Sequence, residues 1–134
     1  MPTPDRTSLA AIIAAGRSLL EDAGAAGLTM QAVAARVGVR APSLYKRITD
    51  RDALLQAIAR SAIEDLTERL HAAGGDVARL AETYRSFAHA YPESFRLIFT
   101  AAAPVDALDA SAAPILRAMT ELVGEEDALD AARL

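Results

Sequence analysis

The segment Leu28 to Ile48, LTMQAVAARVGVRAPSLYKRI, constrains this chain more than any other. Thr29 stands before an inward set, Met30, Val33, Ala34 and Val37, at helical spacing, so a short helix opens on a threonine cap. Gly38 supplies a left-handed turn that residues with a Cβ adopt only at a cost. Pro42 fits the first turn of a second short helix, where its missing N–H is not needed. Leu44 and Ile48 then point to the same interior. Two short helices at a tight turn make a helix-turn-helix. The second exposes Ser43, Tyr45, Lys46 and Arg47, a polar and basic surface that suits the major groove of DNA.

The rest of the chain has no run of alternating β-branched residues that would make a strand. Hydrophobic residues are 52% of the 134 and aromatics only 4%. Alanine, the strongest helix former, fills much of the difference. The expected fold class is all-α: an N-terminal three-helix helix-turn-helix domain over residues 1–60, joined through a long fourth helix to an incomplete α-helical domain over 61–134. Cysteine is absent, so there is no disulfide framework and no thiolate metal site, which fits a reducing cytoplasm. No apolar run approaches the roughly 18 residues of a membrane span, and no membrane partner is expected. The polar, proline-rich start, Met1 to Arg6, reads as a flexible arm rather than a signal peptide.

The net charge of −4 argues against a nucleic-acid partner only until it is divided. Residues 1–60 carry eight basic and five acidic side chains, whereas residues 61–134 carry six and thirteen. A basic head sits on an acidic body, and a local basic face is enough to displace phosphate counterions.

Along the chain, a first helix is expected from Thr7 to Asp22, with Leu9, Ile12, Ile13, Leu19 and Leu20 as its apolar stripe. The glycines around Ala25 end it. Thr49 and Asp52 make a T-x-x-D start for a long fourth helix, whose stripe runs Leu54, Leu55, Ile58, Ala62, Leu66, Leu70. Gly74-Gly75 breaks it. A fifth helix is expected from Asp76 to Ala90 and a sixth from Pro92 to about Ala102. Ala103 to Ala113 reads as a loop, and Pro114 as the start of a seventh helix reaching Val123. Gly124 stops that one, and Glu125 to Leu134 begins another. The chain ends mid-stripe without a glycine or proline stop, so it is expected to continue beyond Leu134.

The first 60 residues resemble the tetracycline-repressor (TetR) family of bacterial regulators. The residues carrying this are Leu28-Thr29-Met30, Val33-Ala34, Val37-Gly38-Val39, Ala41-Pro42-Ser43-Leu44-Tyr45 and the Asp52-Ala53-Leu54-Leu55 that opens the fourth helix. Residues 61–134 resemble the family's effector-binding and dimerisation domain more loosely, with Phe87 to Phe99 similar to one regulatory-domain subgroup. The resemblance implies a homodimer on a near-palindromic operator, repression, and release by a small effector bound in the body. Two departures stand out. The chain stops where relatives continue into long paired dimer helices, and Lys46-Arg47 replaces an aromatic and a histidine found in many relatives, so the operator does not carry over.

Each candidate residue has a plain reading beside the functional one. Thr29 is an N-cap, and the family position adds a phosphate contact. Arg40 is a solvated turn residue or a base or phosphate contact. Ala41 and Pro42 start the second helix, with Pro42 near a thymine methyl as a minor option. Ser43 contacts a base or phosphate, or only water. Tyr45 packs partly inward, and the resemblance sends its hydroxyl to a phosphate. Lys46, the only lysine, is the best base reader, to guanine O6 and N7. Arg47 and Arg51 read as phosphate clamps, Arg51 also topping the fourth helix. Arg6 is a remote candidate for the minor groove.

In the body, Tyr84, Phe87, Tyr91, Phe95 and Phe99 are ordinary core or the lining of a pocket for a small, mostly apolar effector. His89 caps the body or touches that effector. His71 and His89 are isolated, and no metal or cofactor is expected. No nucleophile–base pair, catalytic acid pair or phosphate loop points to an enzyme. The alternative to a DNA-binding regulator is a small helical module that uses its head against protein.

Overall fold

The structure is a computed structural model that describes residues 8–100 and 104–123. Among these residues the chain is helical and contains no strand. α1 spans Leu9–Ala23 and is followed by one short 3-10 turn, Ala25–Gly27. α2 spans Met30–Val37, α3 Ala41–Tyr45, α4 Arg51–Ala73, α5 Val77–Ala90, α6 Pro92–Ile98 and α7 Val105–Val123.

Local chemistry starts most of these helices. Ser8, Thr29, Asp50 and Asp76 each lie in extended backbone and accept a first-turn N–H with the side chain, the ordinary way to satisfy an orphan donor. The cap of α4 is therefore Asp50, whose Oδ1 takes the Ala53 N–H at 2.8 Å, and not Thr49 as the T-x-x-D spacing suggests. The seventh helix also differs from expectation. It begins at Val105, nine residues before Pro114, which lies inside it. Alanine propensity over Ala107 to Ala113 outweighs the intrahelical bond that the proline cannot donate. α6 is shorter than expected: Thr100 turns its N–H and its hydroxyl onto the Leu97 carbonyl at 3.1 and 2.7 Å and closes the helix at Ile98. Glu125 to Leu134, expected to be helical, lie outside the described residues, as do Thr7 and the arm with Arg6.

Two apolar clusters result. The head cluster gathers Ile12, Leu19, Leu20, Leu28, Met30, Val33, Leu44, Ile48, Leu54 and Ile58 from α1 to α4. The body cluster gathers Ala62, Ile63, Leu66, Leu70, Leu80, Phe87, Ile98 and Ala107 from α4 to α7. α4 serves both. Its 23 residues reach about 35 Å at 1.5 Å per residue. α1 crosses α4 at Gly16, where a Cβ would lie 2.7 Å from Ile58 Cδ1.

Candidate nucleic-acid interface

The head is built so that a very short helix points one face outward. α2 ends at Gly38, with φ 88° and ψ 30°. The Val39 N–H reaches back to the Ala34 carbonyl at 2.9 Å and the Gly38 N–H to Ala35 at 3.2 Å. This double return is the Schellman stop, and Val39 packs on the head core as that motif requires. The chain is thereby aimed into α3, where Pro42 sits in the first turn and the Arg40 side chain makes no cap.

α3 has one turn and a half. Leu44 is fully buried and Ile48 nearly so. With 100° per residue, Lys46 lies opposite the direction these two share, flanked by Pro42, Ser43 and Tyr45. Lys46, Arg40, Pro42 and Arg47 are exposed, Ser43 and Ala41 half-buried, and Tyr45 is 53% exposed. Among the described residues, the side chains of Lys46 and Arg40 have no hydrogen-bond or ion-pair partner. Thr29 stands at the start of α2, its Oγ1 taking the Ala32 N–H at 3.1 Å. These residues share the α2–α3 end of the head.

Arg51 stands apart. Its Nε donates to the Leu28 carbonyl at 2.7 Å and its Nη2 to Ala25 at 2.6 Å. It ties the top of α4 to the turn that leads into α2, a task no spacing rule in the sequence signals. Arg36 has a similar role, bonding Asp22 at 2.7 Å and Ser18 at 2.9 Å, and so locking α2 onto α1.

In the body, the five aromatic residues pack largely on one another. Tyr84 meets Phe95 edge-on at 6.2 Å, Phe95 meets Phe99 at 5.1 Å, and Phe87 meets Tyr91 at 5.3 Å. Phe87 is buried, whereas Phe99 is 67% exposed. His89 is exposed on the last turn of α5. A groove of about 330 Å³ lies between α4 and α7, lined by Ile63, Thr67, His71 and Ala107 with Glu64 and Glu68 at its edge. Arg60 of α4 holds Asp106 of α7 by two bonds of 3.1 and 3.2 Å. Those bonds keep the Asp106 carboxyl below its ordinary value. Among the described residues no group of three or more potential ligands could hold a metal, and no helix is long and apolar enough to cross a membrane.

Two family models match the sequence. Bacterial regulatory proteins of the tetR family match residues 12–58, and the tetracyclin repressor-like C-terminal domain matches residues 77–134. An uncharacterised helix-turn-helix transcriptional regulator of Mycobacterium tuberculosis is 30% identical over 95 residues, covering 66% of this chain and 44% of that one. The class A tetracycline repressor protein from transposon 1721 of Escherichia coli is 34% identical over 85 residues, covering 63% of this chain and 37% of that one. The solved structure of a protein of unknown function from Rhodococcus sp. RHA1 matches with a TM-score of 0.68 and 31% identity, over 82% of this chain and 64% of that chain. This chain thus spans less than half the length of these two curated relatives.

Proposed function

The chain belongs to the tetR family of bacterial regulatory proteins, and from that premise we propose a homodimeric transcriptional repressor that binds a near-palindromic operator and releases it on binding a small effector. The family regulates transcription and is not a family of enzymes, so no residue is given a catalytic step. The observation that carries the reading is the outward face of α3. The Lys46 side chain sits at its centre, without a side-chain partner among the described residues, on a turn anchored by buried Leu44.

In this reading α3 enters the major groove. Lys46 donates to guanine O6 and N7. Thr29, Arg40, Ser43, Tyr45 and Arg47 surround it and hold phosphates, which fix register without reading sequence. Ala41 and Pro42 lie close to the groove floor. Arg51 chiefly braces the turn before α2 and presents its remaining N–H groups to the backbone. The body takes a mostly apolar effector among α4 to α7, near Tyr84, Phe87, Tyr91, Phe95 and Phe99, with His89 at the margin.

Selection of bound sequences from random duplex DNA tests this. The expected product is a two-fold site with half-sites about 34 Å apart or a multiple of that, bound less tightly as salt rises. Recovery of no preferred sequence, with binding indifferent to salt, would overturn it.

A further inference from the structure

Head and body are tied at two places. One is the continuous α4. The other is α6, whose Leu97 belongs to the head cluster while the next residue, Ile98, belongs to the body cluster. α6 opens on Tyr91, which offers no side-chain cap. The missing acceptor comes from the head. Glu21, near the end of α1, places Oε1 2.7 Å from the Ser94 nitrogen and Oε2 3.3 Å from the Glu93 nitrogen. One carboxylate thus satisfies two first-turn N–H groups of another helix. The 2.7 Å contact is at the short end for an N–H donor, as charge-assisted bonds are.

A second link lies one turn away on α1. Arg17 donates to Asp65 of α4 at 3.2 Å, and the other oxygen of Asp65 takes Arg69 at 2.8 Å. The same two guanidinium groups lie 5.5 and 5.4 Å from the centre of the Tyr91 ring. α1, α4 and the α5–α6 corner therefore meet around one groove of about 470 Å³. A single helix between two bodies leaves them free to twist and bend about it. A second attachment off that axis removes the freedom, and its 2.7 Å bond is lost after a displacement of about 1 Å.

We propose that Glu21 is a positioning residue: by capping α6 from α1 it sets the angle of the head on the body, and so the half-site separation that two heads accept. The second half of this statement rests on the regulator reading above.

Cysteine is absent from the chain, so Gln31→Cys and Arg85→Cys, both at exposed positions, carry one spin label each on head and body. Diluted with unlabelled protein, the whole chain reports the head-to-body distance distribution. Glu21→Ala is expected to broaden it. Tyr91→Asp gives α6 a cap of its own and is measured with and without Glu21→Ala, because it also removes the ring beside Arg17 and Arg69. With Glu21 intact the width stays near the parent's, whereas in the double variant amide exchange at Glu93 and Ser94 returns to the parent rate while the distribution stays broad. An unchanged width in Glu21→Ala overturns the proposal. So does a width restored by the internal cap, since Glu21 would then only stabilise α6. On the selected operator, Glu21→Ala is expected to shrink the penalty for one inserted base pair between half-sites about tenfold and to leave an isolated half-site unaffected. A broadened distribution together with no operator preference in the parent counts against the regulator reading and leaves the positioning of the head by Glu21 supported.

Discussion

The head packs large aliphatic side chains tightly: Ile12, Leu20, Leu28, Val33, Leu44, Leu54 and Ile58 are all buried to within 2% of completely. The body, of similar length, buries Phe87, Ile63, Leu66 and Leu70 as fully, but leaves Val77, Phe99, Val105 and Leu116 exposed, against Leu9 and Tyr45 in the head. The charges differ in the same way. In the head, arginines at the rear brace the turns, through Arg36 and Arg51, while Lys46 and Arg40 face outward. In the body, Arg69 and Arg96 are matched to acids on neighbouring turns, and Arg60 at the boundary holds Asp106 of α7. A rigid core under an exposed basic face fits a surface that must meet a fixed lattice of phosphates. An alanine-rich body with exposed apolar residues fits one that rearranges or is covered.

The sharpest test of that contrast is a pair of core truncations. Phe87→Ala in the body should cost roughly 3–5 kcal/mol and Leu44→Ala in the head roughly 2–5. Because α4 runs through both clusters, each should lower the midpoint of one shared unfolding transition in urea. Two separate transitions would break the comparison into independent domains. Next in size, Lys46→Ala should cost roughly 1–3 kcal/mol on the preferred operator and relax choice at one base position. A mobility-shift series over single-base variants reads both, and an unchanged profile would remove Lys46 from the reading role.

Gly38→Ala should cost roughly 1–2 kcal/mol, because φ 88° puts an L side chain in the left-handed region. Thermal melting measures it, and operator binding should suffer through the misdirected α3. The smallest effect belongs to the body. Asp106→Asn removes the exposed tie between α4 and α7. Its carboxyl is held below the usual value by Arg60, so the stabilisation is full above about pH 4 and fades as pH falls through the lowered value. The parent and Asp106→Asn should therefore converge in melting temperature on the acid side, and a gap that persists there would show that the pair contributes by packing.

The parts of this design legible in the sequence are those enforced within a few residues. Thr29, Gly38 and Pro42 each act on neighbours no more than five positions away, and their turn chemistry places α2 and α3. The other half rests on partners far apart in the chain. Arg51 meets carbonyls 23 and 26 residues earlier, and Glu21 meets an N–H 73 residues later. No periodicity announces such pairs, since they depend on how α1, α4 and α6 dock. Pro114 misleads for the opposite reason: a sound local rule yields to the helix propensity of the alanines before it.

The chemistry of the α3 face has a practical corollary. Apart from the chain's amino terminus, Lys46 carries the only primary amine in these 134 residues, and it stands exposed at the centre of that face. Mild acylation therefore finds one side-chain target, erasing a charge without shortening the arm that bears it. The thirteen arginines are inert to the same reagent, so the loss of operator binding, plotted against the fraction acylated at Lys46 as located by mass after digestion, would gauge how much the α3 face depends on a single nitrogen.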